Sequence, residues 1–426
     1  MGIRTVVVTS TVDRKLAWLD EVDEVVTIGP AAASASYLDA DAIIEVARHT
    51  GCSAIHPGWG FLSENAQFAV RCAAAGLTFV GPDPYHMRVM GDKSLARATM
   101  AAAGLPPIPG SKEVLRSVEH AHVVAEQVGY PVLLKAVSGG GGRGMRAVDD
   151  ASQLKEAFDE ATAESTASFA DGRLYMERRI INGRHVEVQI IADNYGAVIH
   201  LGERECSLQR RHQKVLEEAP SPGLTPEMRE TILPRVVEAV RHVGYRSAGT
   251  MELLVDESGE AWFMEMNTRL QVEHPVTEAI TGIDLVELQL RVAAGEPLGF
   301  TQEDVRIQGH AIECRINAED PSNNFAPSPG LVTRLLLPDT EGCRVDTHLR
   351  EGDRISPHYD SMVAKIIVHG ADRNDAIEKM AVALQGTSVV GVKTNVALHA
   401  EIMQWPIFQS GRYHTTSLEQ MLKGDD

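Results

Sequence analysis

The chain has little of several things that would have pointed elsewhere. Aromatic residues make up only 5% of its 426 residues. Cysteine occurs five times, at Cys52, Cys72, Cys206, Cys314 and Cys343, with no CxxC pair. That spacing excludes a zinc ribbon, and the odd count excludes a complete disulfide framework. Reduced thiols in a cytoplasmic setting are the expectation. No apolar run approaches the roughly 18 residues of a transmembrane helix, and the N-terminus lacks a basic-then-apolar signal segment. Met1-Gly2 is followed at position 6 by Val6, where a myristoylation site needs Ser or Thr. Positive charge is short as well: 40 Lys and Arg against 59 Asp and Glu give a net charge of −19. That balance disfavours nucleic acid and anionic membranes as partners, while leaving room for a local basic cleft that holds phosphates.

What is present is alternation. Arg4–Ser10, Glu24–Ile28, Ser53–His56 and Thr78–Gly81 read as short strands, with helical patterns over Asp41–His49 and Glu64–Ala75 between them. This predicts a parallel α/β domain over residues 1–90. Lys93–Ala103 is Ala-rich and helical, stopped by Gly104, and Leu105–Gly110 is a proline-rich link; residues 91–110 are read as a linker. A small unit over 111–179 surrounds a glycine-rich loop. Residues 180–426 mix strands (Val186–Ile191, Thr250–Val255, Ala261–Met266) with long helical patterns such as Glu227–Val243. The fold expected is α/β and α+β in three lobes.

Pro131–Val137 is an apolar strand carrying one lysine, Lys135, and it runs into Ser138 and the glycines Gly139–Gly142, then Arg143-Gly144. Gly139, Gly141 and Gly144 satisfy GxGxxG, but a dinucleotide fold needs a helix directly after the loop. Here Met145–Val148 reads as a strand and the next helix starts near Asp150, a plausible N-cap. The glycines therefore join two antiparallel strands, either as a plain hairpin or as a flap whose amides close over phosphates. Lys135, in an apolar strand beside that loop, favours the flap. Gly91-Asp92-Lys93-Ser94 lacks the upstream glycine of a Walker A loop.

Gly249–Val255 and Glu260–Met266 read as a hairpin. With Ser258-Gly259 as a two-residue loop, Glu252 falls opposite Glu265. Facing carboxylates repel unless a cation lies between them, and oxygen ligands select a hard ion, Mg²⁺ or Mn²⁺. If the strand stays extended, Glu265, Asn267, Arg269, Gln271 and Glu273 share one face. Such a face is too polar for a core and suits a cleft, although a solvated sheet face is the plainer alternative.

The run Glu265–Glu278 (EMNTRLQVEHPVTE) resembles the signature of biotin-dependent carboxylases. So do His56–Asn65, Met90–Lys93, the Gly139–Met145 loop, Cys206–Lys214, Glu313–Asp320 and Tyr359–Met362, in order along nearly the whole chain. The resemblance implies an ATP-grasp fold and a biotin carboxylase activity. ATP would contact Lys93, Lys135, the lid glycines Gly140, Gly141 and Gly142, Glu177, His185, Gln209, His212 and Leu254. Glu252, Glu265 and Asn267 would hold two Mg²⁺ or Mn²⁺ ions. Bicarbonate would sit against Lys214, Arg269, Gln271 and Val272, with Glu273 as its base. Arg315 would stabilise the biotin enolate, with Asp360 nearby. Taken alone, His185 and His212 fit structural histidines equally well, and Arg315 fits an ordinary ion pair.

The sequence departs from the family's pattern in three places. The family begins with a further strand and a helix carrying an Asn-Arg-Gly-Glu-Ile-Ala-like segment, whereas Met1-Gly2-Ile3 aligns with its second strand. An N-terminal sheet short of one βα unit is expected. Trp59 stands where tyrosine is common, and Arg178 where lysine is common. No Ala-Met-Lys-Met segment occurs, and Lys379-Met380 lies on a helical pattern, so biotin is expected on a separate carrier protein. The resemblance further implies a homodimer, a biotin carboxyl carrier protein and carboxyltransferase subunits as partners, and the first half-reaction of acetyl-CoA carboxylase in fatty acid synthesis. The alternatives are the equivalent part of an acyl-CoA, pyruvate or urea carboxylase, a different acyl-phosphate-forming ligase and a non-catalytic nucleotide-binding homologue.

Overall fold

Val6–Ser10, a β-branched run, pairs in parallel with Glu24–Gly29, placing Val7 opposite Val25 and Val8 opposite Val26. The computed structural model describes residues 1–111, 113–138 and 145–424. A second parallel pair joins Ala54–Ile55 to Thr78–Phe79. Helices Ala40–His49 and Ala66–Ala74 start where Asp39 and Asn65 accept backbone N–H bonds, and they bury Ile44, Phe68 and Cys72 with Leu77. Among the described residues the two parallel pairs share no ladder hydrogen bonds, so the expected α/β layer is present in two pieces.

Helix Lys93–Ala102 begins at Asp92, whose Oδ1 accepts from Leu95 N at 2.8 Å. Beyond it the proline-rich link is pinned at both ends. Phe263 N donates to Pro106 O at 2.8 Å, and Arg178 N donates to Pro109 O at 2.7 Å. Gly110 is required at this crossing, because a Cβ there would lie 2.2 Å from Met176 O.

In the small unit, Val132–Ala136 is the middle strand, flanked antiparallel by Met145–Val148 and Leu174–Arg178. The glycine-rich segment thus connects two antiparallel strands, as expected, although Gly140, Gly141 and Gly142 themselves lie outside the described residues. Leu134, Val148, Leu154 and Met176 are buried beneath helices Val118–Val128 and Leu154–Phe169. The second helix starts at Leu154, with Gln153 at its N-cap. Asp150 is not the cap: its Oδ1 accepts from Ser152 N in a preceding turn.

The remainder is built on an eight-stranded antiparallel sheet. Its spatial order is Ala261–Asn267, Ser247–Val255, Arg184–Ala192, Val198–Arg210, Gln213–Ala219, His310–Asn317, Met362–Gly370 and Cys343–Thr347. Helix Pro226–His242 covers one end with Ile232, Val236 and Val240; helix Arg373–Gln385 covers the other with Ile377, Met380 and Leu384. Each such side chain contributes on the order of 1.5–3 kcal/mol on burial. The middle strands are buried on both faces, and the face that bears the site carries Glu187, Arg204, Glu217 and Glu313, which have no exposed surface. All five cysteines are free thiols, and among the described residues no helix is long and apolar enough to cross a membrane.

Candidate active site

The sheet register creates the site. Glu252 stands opposite Glu265 on one side and opposite Glu187 on the other, and Glu187 faces Arg204. Three carboxylates and a guanidinium therefore form one row across four strands. The Glu252–Glu265 opposition was expected from the sequence, but the turn that produces it is different. The loop spans Asp256 to Glu260, with Asp256 N donating to Glu260 O, and it sets Leu253 opposite Phe263 and Val255 opposite Ala261. An irregularity between Glu252 and Leu253 leaves Met264 without a partner and restores the carboxylate pairing.

A second expectation is corrected here. The strand ends at Asn267, and helix His274–Thr281 begins directly after Glu273. Residues 268–273 are a loop, because Thr268 N and Arg269 Nε turn to Glu64, each at 3.0 Å. The polar residues still converge, through side-chain bonds rather than strand periodicity. Arg269 Nη2 donates to Asn267 Oδ1 at 3.1 Å and Nη1 to Gln271 Oε1 at 2.8 Å. Asn267 Nδ2 and Gln271 Nε2 both donate to Glu252 Oε1, at 2.8 and 3.1 Å.

Lys214 is the centre of the cluster. Its Nζ donates to Glu187 Oε2 at 2.6 Å, Glu252 Oε1 at 3.1 Å and Glu273 Oε1 at 2.5 Å. The other Glu273 oxygen accepts from Arg315 Nη2 at 2.9 Å, and Arg315 Nε donates to Glu217 Oε1 at 2.6 Å. Burial opposes ionisation of Glu273, but Lys214, Arg315 and Arg204 outweigh it and hold its carboxyl well below the ordinary range. Glu252 is likewise lowered, by Lys214 and His185 against burial. Glu265 moves the other way, raised by burial and by the Glu252 charge. It nonetheless keeps exposed surface and accepts no hydrogen bond from the described residues. Facing carboxylates of which one lacks a donor fit a divalent cation, with Asn267 Oδ1 as a neutral oxygen beside them. Ligand-capable atoms of His185, Glu187 and Glu252 also lie within 4.8 Å of one another.

The residues expected around a nucleotide are carried by several different elements. His185 Nε2 lies 3.0 Å from Glu252 Oε2, and its Nδ1 lies 2.6 Å from Gln209 Nε2. His212 sits at the tip of the hairpin between Val198–Arg210 and Gln213–Ala219, with φ of 63°. Lys93 is in the first turn of its helix, and Leu254 packs where a Cβ on Gly183 would touch it. Lys135 and Arg97 pair with separate oxygens of Glu177. Burial, then Arg97 and Lys93, press the Lys135 ammonium down; the paired Glu177 carboxylate favours its charged form. Val272 contributes its carbonyl, which accepts from Lys365 Nζ at 2.6 Å. Asp360 is exposed, its Oδ1 accepting from Met362 N at 2.8 Å.

Several residues of this network escaped the sequence reading, among them Glu187, Arg204, Glu217, Glu64 and Arg97. Glu187 had a signal, being a lone acid inside the apolar strand Arg184–Ala192. Glu64 lay within a recognised motif but without a role. Arg97 lay on the Ala-rich helix, which was read only as part of a linker.

A glycine-loop unit facing a large antiparallel sheet, with carboxylates and lysines between them, defines an ATP-grasp ligase, an ATP-dependent enzyme. Residues 92–301 match the family described as carbamoyl-phosphate synthase L chain, ATP binding domain. Residues 1–87 and 313–420 match the biotin carboxylase N-terminal and C-terminal domains. The chain belongs to the biotin carboxylase family. It is 50% identical over 426 residues to the biotin carboxylase of Pseudomonas aeruginosa, covering all of this chain (100%) and 94% of that one. It is 46% identical to a pyruvate carboxylase subunit of Methanothermobacter thermautotrophicus, covering 100% and 87%. Among solved structures, a Campylobacter jejuni biotin carboxylase superposes with a TM-score of 0.95 at 44% identity, covering 99% and 94%. The biotin carboxylase domain of Hydrogenobacter thermophilus 2-oxoglutarate carboxylase, solved as a dimer with MgADP, ADP and bicarbonate, gives 0.94 at 46%, covering 100% and 94%.

Proposed function

We propose that this protein carboxylates biotin held on a separate carrier protein, using ATP and bicarbonate. Bicarbonate lies against Lys214, Arg269, Gln271 and the Val272 backbone, and Glu273 removes its proton. A bicarbonate oxygen then attacks the γ-phosphorus, ADP leaves, and carboxyphosphate forms. Carboxyphosphate breaks to CO₂ and phosphate, and the phosphate accepts the biotin ureido proton. Arg315 stabilises the enolate that attacks CO₂, with Asp360 close by. Lys93, Lys135, Glu177, His185, Gln209, His212, Leu254 and the lid glycines hold the nucleotide. Glu252, Glu265 and Asn267 would hold Mg²⁺ or Mn²⁺, which neutralises phosphate charge.

The observation that carries this reading is the clamp on Glu273. A base must be ionised before the reaction, and Lys214 and Arg315 keep it so. Substrate anions then draw these cations away and raise its proton affinity. The test is bicarbonate-dependent ATP hydrolysis with and without free biotin. Stimulation by biotin that is lost in Glu273→Gln supports the assignment; stimulation unaffected by that substitution overturns it.

We further propose a cytoplasmic homodimer serving carrier and carboxyltransferase subunits. Acetyl-CoA is the acceptor we propose, with pyruvate as the alternative, since a pyruvate carboxylase subunit is among the relatives. Reconstitution with each carboxyltransferase, offering acetyl-CoA or pyruvate, decides between them.

A further inference from the structure

One buried carboxyl group beside this machinery has no hydrogen-bond partner among the described residues. Glu313, on strand His310–Asn317, has no exposed surface, and neither of its oxygens meets a hydrogen-bond donor. Directly opposite it on Gln213–Ala219 stands Glu217, also fully buried. Opposed residues of an antiparallel pair point to the same face, so the two carboxyl groups share one space. Glu217 Oε1 accepts from Arg315 Nε at 2.6 Å, while its Oε2 has no donor. Three carboxyl oxygens are thus orphaned in a closed site.

The surrounding cations are engaged elsewhere. Arg315 spans Glu217 and Glu273. Lys365, opposite Arg315 on the neighbouring strand, lies 4.0 Å from Glu313 Oε2, beyond a hydrogen bond. Its ammonium donates to Val272 O at 2.6 Å and lies 3.4 Å from Asp346 Oδ2. The rest of the wall is apolar: Ala219, Ala311 and Ile367 of the sheet pack with Val276 and Ile280 of helix His274–Thr281. His274, at the start of that helix, is turned to Gln271 O at 2.8 Å. Two fully buried carboxylates facing each other here, with Arg315 bonded to only one of them, are strongly disfavoured.

We propose that Glu313 is kept protonated and donates to Glu217 Oε2, so that the two acids carry one negative charge and together position Arg315. A single proton turns one orphaned acceptor into a donor and gives a partner to two of the three orphaned oxygens. Burial first, and the Glu217 charge after it, push the Glu313 carboxyl well above the ordinary range, against the pull of Lys365. Glu217 stays the anion because it holds the guanidinium directly. A neutral Glu313 braces Glu217 from behind, and Glu217 in turn fixes the Nε edge of Arg315 and leaves its Nη2 toward Glu273. Both acids are positioning residues, and their effect on turnover rests on the enolate role proposed above for Arg315.

Difference infrared spectroscopy of the full chain tests the proton. At neutral pH the wild type minus Glu313→Gln should show the C=O stretch of a protonated carboxyl, shifted in Glu217→Gln. Absence of that band overturns the proposal. Kinetics test the positioning. Glu313→Leu, which cannot donate, should lower biotin-dependent kcat roughly 10–100-fold, the scale of lost supporting contacts, with KM for ATP unchanged. Glu313→Gln restores an N–H donor and should recover most of that loss. Equal losses in both variants, or a change confined to KM for ATP, would overturn the positioning role. If Glu313→Leu does not fold, the spectrum with Glu313→Gln decides alone. A wild type without biotin stimulation would undo the functional reading, while the carboxyl band would still report on the proton.

Discussion

Lys214 donates to Glu273 at 2.5 Å, and through this contact one cation ties the candidate base to two further carboxylates, Glu187 and Glu252. The ammonium joins carboxylates from two strands and from the loop before helix His274–Thr281, so removing it cannot be a local event.

Lys214→Met should therefore damage both stability and chemistry. It leaves Glu187, Glu252 and Glu273 buried with less compensation, and breaking a buried ion pair costs about 3–5 kcal/mol. Denaturant unfolding of the variant measures that loss. Lys214→Arg, which keeps the charge, should recover most of the stability but little of the bicarbonate-dependent ATP cleavage, because the planar fork does not reproduce three bonds from one nitrogen.

Glu265→Gln should have effects of opposite sign with and without metal. Without divalent ions it relieves the repulsion from Glu252, and the melting temperature should rise, by the equivalent of roughly 0.2–1 kcal/mol. With Mg²⁺, the concentration needed for half-maximal ATP cleavage should increase. A variant that melts lower without metal would contradict the opposition described above.

Arg97→Met should raise KM for ATP about tenfold, or about 1.4 kcal/mol. It leaves Glu177 paired with Lys135 alone and also removes the Arg97 Nη2 bond to Ile108 O at 2.8 Å. Steady-state kinetics at saturating bicarbonate would show it; an unchanged KM would make Arg97 purely structural.

Acid stability should depend on Glu218. This fully buried carboxylate accepts from His310 Nε2 at 2.5 Å, from Arg373 at 2.7 and 2.9 Å, and from the Tyr413 hydroxyl. Burial opposes its charge, but His310 and Arg373 outweigh it and pull its pKa down to about 2. A folded value below the unfolded one adds stability above the ordinary carboxylate range, and that stability is lost as pH falls through the folded value. The contribution is roughly 3 kcal/mol, lost between about pH 4.5 and 2. Urea midpoints measured down that range should fall steeply in the wild type and more gently in Glu218→Gln.

Much of this site was legible beforehand, for identifiable reasons. The glycine segment was placed between two strands because Met145–Val148 reads extended, and it is. Glu252 and Glu265 were placed opposite each other by counting from an assumed turn. The count succeeded because two departures cancel: a longer loop shifts the register, and the unpaired Met264 shifts it back. Bulges depend on local backbone energetics that alternation does not record. The extended reading through Glu273 failed because Glu64, more than 200 positions away, captures Arg269 and bends the chain into a loop.

The sequence by itself determined the classes of chemistry and the local elements. Periodicity and turn residues act over a few positions, and a long ordered run of motifs identifies a family without any coordinates. Only the tertiary structure decided which charges meet. Glu217 and Glu313 are 96 positions apart, and nothing near either one announces the other. The strand order of the large sheet brings Gln213–Ala219 beside His310–Asn317, and burial removes the water that would otherwise separate their carboxyl groups. Protonation, pairing and the aim of Arg315 follow from that long-range register, because electrostatic energies depend on separation in space and on exclusion of solvent, and neither is encoded by position along the chain.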